Sequence, residues 1–166
     1  MLQVYTGNGK GKTTAAFGLA FRAHGRGKKV AIIQFVKPNE SGEFKVAKSL
    51  GILVEHYGYP GFIIKEPRTQ DYEQANIAWE RAKEIIQSEK YDIVVMDELN
   101  IAFFYKLLNV HEITDFIKNY KEKMEIVVTG RYAPQEIIDL ADLVTEMKEI
   151  KHYYVKGVNA REGIEF

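Results

Sequence analysis

TGNGKGKTT, residues 6–14, lies between the apolar LQVY of residues 2–5 and the AAFGLAFRA of residues 15–23. Its end, Gly11-Lys12-Thr13, matches the end of the pattern G-x-x-x-x-G-K-[ST]. The first glycine of that pattern falls on Thr6, and the glycine stands one place later, at Gly7. Glycines let a backbone wrap an anion with its N–H groups pointing inward. A helix that opens at Lys12 adds the partial positive charge of its N-terminus. Gly7, Asn8, Gly9, Lys10, Gly11, Lys12, Thr13 and Thr14 are therefore read as a nucleotide-binding loop. Lys12 is placed on phosphate oxygens and the Thr13 hydroxyl on a magnesium ion. The competing reading is a glycine-rich turn with lysines for solubility; it leaves the strand before the loop and the helix after it unexplained.

The rest of the chain has the organisation such a loop requires. Strand patterns at residues 2–5, 29–36, 52–57, 91–96, 125–129 and 143–148 alternate with helical patterns at residues 12–24, 43–50, 70–89, 99–107, 111–121 and 134–140. KVAIIQFV and YDIVVM are nearly unbroken apolar runs, as in strands buried on both faces of a sheet. The expected fold is α/β, three layers, a mainly parallel sheet covered on both sides, the architecture of P-loop NTPases of RecA-like type. In such sheets ligands bind beyond the carboxyl ends of the strands. The 166 residues are expected to form a single nucleotide-binding domain, 1–166.

Composition narrows the function. Lys+Arg and Asp+Glu both number 23, so the chain has no net charge, and a general nucleic-acid or anionic-membrane binder is not expected. The absence of cysteine rules out disulfides, thiolate metal sites and a cysteine nucleophile. No apolar run approaches the roughly 20 residues of a membrane span, and the first residues read as a strand rather than a leader, so a cytoplasmic location is expected.

Two further loops carry chemistry. In YDIVVMDEL an apolar strand runs into Asp97 and Glu98, where a P-loop protein needs a carboxylate for its magnesium. Asp97 capping the next helix is the plainer alternative. In IVVTGR, Arg131 is placed to touch phosphates, or else is a solvated turn residue. The four histidines, His24, His56, His111 and His152, show no ligand spacing. Trp79 falls on the apolar face of its helix. Tyr57, Tyr59, Phe62, Phe103, Phe104 and Tyr105 flank loops and suit either packing or a flat apolar ligand.

Taken together, TGNGKGKTT, MDELN, VVTGRYAPQEIIDLADLVTEMKEIKH and KGVNAREGIEF resemble the P-loop type of ATP:corrinoid adenosyltransferase over nearly the whole chain. Members often carry a segment before the first strand and a tryptophan after the Gly-Phe that here is Gly61-Phe62; this chain reads Ile63-Ile64. The resemblance implies that Co(I) of a reduced corrinoid attacks the 5′ carbon of ATP and triphosphate leaves. It implies ATP as co-substrate, magnesium or manganese on Thr13, Asp97 and Glu98, catalytic roles for Lys12 and Glu98, a homodimer, and a flavodoxin-like reductant. Phe103 and Phe104 are the expected corrinoid wall. A P-loop ATPase or nucleoside kinase, and an ATP-sensing module without turnover, are the alternatives.

Overall fold

Six strands and six helices alternate among the described residues, which in this computed structural model are 1–61, 63 and 65–165. They are β1 (Leu2–Thr6), α1 (Lys12–His24), β2 (Val30–Gln34), α2 (Gly42–Ser49), β3 (Leu53–His56), α3 (Thr69–Gln87), β4 (Ile93–Asp97), α4 (Leu99–Phe104), α5 (Val110–Lys118), β5 (Glu125–Thr129), α6 (Gln135–Leu140) and β6 (Leu143–Glu146). The strands form one sheet in the order β3-β2-β4-β5-β1-β6, and every pairing is parallel. Phe62, one of the aromatics noted in the sequence, lies outside the described residues.

The apolar runs explain the three layers. Every residue of β2 and β4 is buried. Successive side chains in a strand point to opposite faces. Val30, Ile32, Val95 and Val127 accordingly pack with Ala16, Phe17 and Ala20 of α1 and Ala47 of α2. Ala31, Ile33, Val94 and Val128 pack with the opposite layer, led by Ala78, Trp79 and Ile86 of α3. The helices start where local chemistry satisfies their first N–H groups. Ser41 accepts from Phe44 N, Asn109 accepts from His111 N, and the Asp71 carboxylate accepts from Arg68 N.

The register aligns the carboxyl ends that matter. Tyr5 pairs with Thr129, Thr6 with Glu146, and Gln34 with Asp97. The loops after β1, β2, β4, β5 and β6 therefore emerge along one edge. β5 lies between β1 and β4, so the Asp97 strand is one strand removed from the loop-bearing strand rather than beside it. Two strands end earlier than the apolar pattern suggests. β2 stops at Gln34 because Val36 turns the chain with φ 53°. β6 stops at Glu146 because Met147 turns over the glycine loop, its carbonyl accepting from Gly9 N at 2.7 Å.

Ile32 is fully buried at the middle of β2, between β3 and β4. Ile32→Ala is expected to lower unfolding free energy by about 2–5 kcal/mol. Urea denaturation checks this, and a loss below about 1 kcal/mol would contradict a packed central position.

Candidate functional site

Gly7 and Gly11 adopt φ 95° and 116°, conformations that side chains resist. The second turns the chain directly into Lys12 at the start of α1. The shifted glycine has a steric reason. A Cβ on Gly7 would stand 2.5 Å from the Met147 carbonyl oxygen. Thr6 does different work, since its hydroxyl accepts from Ala133 N at 3.3 Å and ties the loop's start to the turn after β5.

The loop lysines diverge. Lys12 is buried, and its ammonium donates to the carbonyls of Gly7 and Gly9, both at 2.8 Å. Burial lowers its pKa. Lys10 also borders the cavity described below, but its ammonium is held by the chain's last residues. Its ammonium donates to Ile164 O at 2.6 Å and pairs with Glu165 Oε1 at 2.8 Å. Lys10 thus fastens the segment that follows β6 to the loop, with the help of Arg161, which also bonds Glu165.

Asp97 is fully buried at the end of β4. Its carboxylate accepts from Gln34 Nε2 at 2.9 Å, Lys37 Nζ at 2.8 Å and Thr129 Oγ1 at 2.6 Å. It does not cap α4; the residue before that helix is Glu98, with φ 61° and no capping bond. Burial opposes the Asp97 charge, but Lys37 and the three hydrogen bonds outweigh it and leave its pKa below the usual carboxylate value. Burial and the Asp97 charge push the Glu98 pKa up. Asn100 is also fully buried and donates to Gly130 O at 3.1 Å, locking the DELN turn to the TGR turn. A Cβ on Gly130 would come within 2.9 Å of Asn100 Cβ, so this contact needs a glycine there.

These groups border a cavity of about 680 Å³. Lys12, Thr13, Lys37, Glu98 and Arg131 line it, together with Phe104 and Tyr132. Asp97 stands behind this lining, reached through Lys37. Phe103 is corrected: it is 8% exposed and packs in the core, while Phe104 is 50% exposed and faces the cavity. Neighbours in a helix point about 100° apart, so two consecutive phenylalanines cannot share one wall. Tyr132 supplies the second aromatic surface, stacked on Phe104 with centroids 4.3 Å apart. Sequence reasoning missed Tyr132 and Lys37. Both lie three residues beyond a strand's carboxyl end, and that position is the available signal.

Comparison with known proteins decides the family. The profile described as "ATP:corrinoid adenosyltransferase BtuR/CobO/CobP" matches residues 1–166. A corrinoid adenosyltransferase of Sinorhizobium sp. is 41% identical, covering all of this chain and 80% of that protein. The chain belongs to the ATP:corrinoid adenosyltransferase family. The corrinoid adenosyltransferase of Escherichia coli strain K12 is 36% identical over 98% of this chain and 84% of its own length. Corrinoid adenosyltransferase CobA of Salmonella typhimurium has the same identity and coverage.

Thr13 Oγ1 and the Glu98 carboxylate are hard oxygen donors at the cavity, the kind that magnesium or manganese would take, while Asp97 is held behind them by Lys37. The half-buried Glu98 carboxylate, whose pKa is raised, would gain from a cation brought near it.

A raised carboxylate pKa means that ionised Glu98 opposes folding. The opposition is absent below the ordinary carboxylate range and grows as pH rises through the raised value. In chelator at neutral pH, Glu98→Gln is expected to raise the melting temperature, by about 2–4 °C per kcal/mol relieved. The difference between variant and wild type should vanish in acid. A variant less stable than wild type at neutral pH contradicts this account.

Proposed function

We propose that the chain, as one nucleotide-binding domain, transfers the 5′-deoxyadenosyl group of ATP to the Co(I) of a reduced corrinoid and releases triphosphate. The observation that carries the proposal is the glycine loop opening into α1 with Lys12 at its first turn, in a chain of this family. The bond formed is cobalt–carbon and the bond broken is carbon–oxygen at the ribose 5′ position. The Co(I) electron pair makes the first, and the pair of the second leaves with triphosphate. No protein nucleophile is required.

The protein's task is then electrostatic and positional. Negative charge grows on the oxygen that leaves the 5′ carbon, and preorganised donors stabilise it. Lys12 and the loop N–H groups are in place for this, with Arg131 at the cavity edge. Lys12 bonds its own loop's carbonyls, and a phosphate oxygen would offer it a stronger, charged acceptor. Magnesium or manganese on Thr13, Glu98 and, less directly, Asp97 would neutralise triphosphate charge. Glu98 serves catalysis by holding that charge balance.

Attack in line requires cobalt on the side of the 5′ carbon opposite the leaving oxygen. The ribose is therefore placed toward Phe104 and Tyr132, where an apolar corrin face finds stacked aromatic surface. The nucleotide would lie reversed along residues 7–14 relative to phosphoryl-transfer enzymes, whose γ-phosphate faces the acceptor. Family analogy supports a homodimer, a flavodoxin-like reductant that generates Co(I), and a cytoplasmic setting. Among the described residues no helix is long and apolar enough to cross a membrane.

The test is ATP with chemically reduced cob(I)alamin, followed by absorbance for adenosylcobalamin, with the phosphate product identified. Triphosphate is expected; ADP with phosphate points instead to an ATPase or kinase. Lys12→Ala is expected to lower kcat/KM for ATP by about 2–4 kcal/mol, roughly 30- to 900-fold, with an unchanged circular dichroism spectrum. Full turnover in that variant at limiting ATP sinks the assignment of Lys12.

A further inference from the structure

The chain after β2 puts a further lysine, Lys37, at the nucleotide cavity. Lys37 Nζ stands 2.8 Å from Asp97 Oδ2 and 3.2 Å from Thr13 Oγ1. It thereby bridges β4 and the first turn of α1. Its side chain is 25% exposed, and it lines the cavity together with Lys12, Thr13 and Glu98.

Its backbone is fixed by unusual means. Val36, the residue before it, has φ 53°, a left-handed conformation that β-branched residues strongly disfavour. Lys37 N donates to Tyr57 O at 3.1 Å, and His56 Nδ1 lies 3.2 Å from Lys37 O. Gly58 packs so closely that a Cβ there would stand 2.6 Å from Lys37 N. Strain of this kind persists only where the surroundings over-determine it, and it clusters at functional sites.

A counter-ion for Asp97 is the simplest role for this lysine. That role explains one of its two bonds. It does not explain why the ammonium also reaches Thr13 on the glycine loop, nor why the side chain opens on the cavity. An ammonium carries three protons, and two are engaged here, leaving one for another acceptor.

We propose that Lys37 is a further phosphate-binding cation of the nucleotide site, placed by the chain after β2 to receive the triphosphate beside Thr13. The proposal rests on the nucleotide reading of the cavity and adds to it a residue outside the glycine loop. A triphosphate oxygen near Thr13 meets Lys37 at once, because the two side chains already touch. Charge-assisted bonds to phosphate strengthen in such a partly dry setting. The leaving group then has two lysines, Lys12 from the loop and Lys37 from the chain after β2.

The test uses inorganic tripolyphosphate and, separately, ATP, both in EDTA, with affinity read by calorimetry. Lys37→Gln keeps a donor for Asp97 and loses the charge. It is expected to bind tripolyphosphate about tenfold or more weakly than wild type. A lysine that only pairs Asp97 predicts no such loss in a folded variant; wild-type affinity in Lys37→Gln overturns the proposal. Should Lys37→Gln fail to fold with Asp97 left unpaired, Lys37→Gln/Asp97→Asn is compared with Asp97→Asn alone, and the same loss is expected. Equal affinity in that pair overturns the proposal as well. Wild-type protein that binds neither ligand instead removes the nucleotide reading, and Lys37 falls with it.

Discussion

The carboxyl edge of this sheet is organised by one buried charge. Asp97 has no exposed surface, and a carboxylate so placed is tolerated only when paired and hydrogen-bonded. Its donors come from three directions: Gln34 on β2, Lys37 just beyond β2, and Thr129 at the end of β5. Thr129 extends the network, because its hydroxyl also accepts from Glu98 N at 3.0 Å. Removing one member of such a set leaves a buried polar group unsatisfied, at a cost of about 1–3 kcal/mol or more. The network therefore fixes the relative height of β2, β4 and β5, and with it the positions of Lys37 and Glu98. Site and fold share the same bonds here.

The glycine loop is held by a different device, close packing against the chain that follows β6. Gly7 and Gly9 lie too near Met147 for any side chain, and Gly9 N bonds its carbonyl. Farther on, Lys10, Tyr153, Arg161 and Glu165 join residues 153–165 to the loop's outer side. These bonds are exposed, so each is weak and sensitive to salt. The loop thus has a tight inner contact and a loose outer one. An anion entering the loop acts on backbone already shaped by Met147.

The sequence was most legible where chemistry is local. The strand–loop–helix at residues 2–24 could be read because a glycine pattern, an apolar strand and a helical face adjoin. β2 and β4 were legible because burial on both faces leaves an apolar run that few other structures produce. Lys37 was hidden because its placement depends on the left-handed turn at Val36, and nothing in the pattern FVKPN requires valine to adopt it. Phe103 and Phe104 were read as a pair because adjacency in sequence looks like adjacency in space. The helix separates them, sending one to the core and the other to Tyr132. Lys10 was read by its loop position, while its partners lie more than 140 residues away.

The cavity's two chemistries also bear on the proposed reaction. Its lining holds charged groups, Lys12, Lys37, Glu98 and Arg131, together with the half-exposed rings of Phe104 and Tyr132. Phosphoryl transfer needs charge stabilised at both the attacking and leaving oxygens, which calls for polar groups around the whole reacting centre. Adenosyl transfer to Co(I) differs. Charge accumulates on the leaving triphosphate alone, while the nucleophile belongs to a broad, largely apolar macrocycle. A site serving that reaction gains from cations on the leaving side and their absence on the other. For the proposed reaction, the Phe104 and Tyr132 rings would offer apolar surface to the macrocycle, and the lysines would offer cations to the triphosphate.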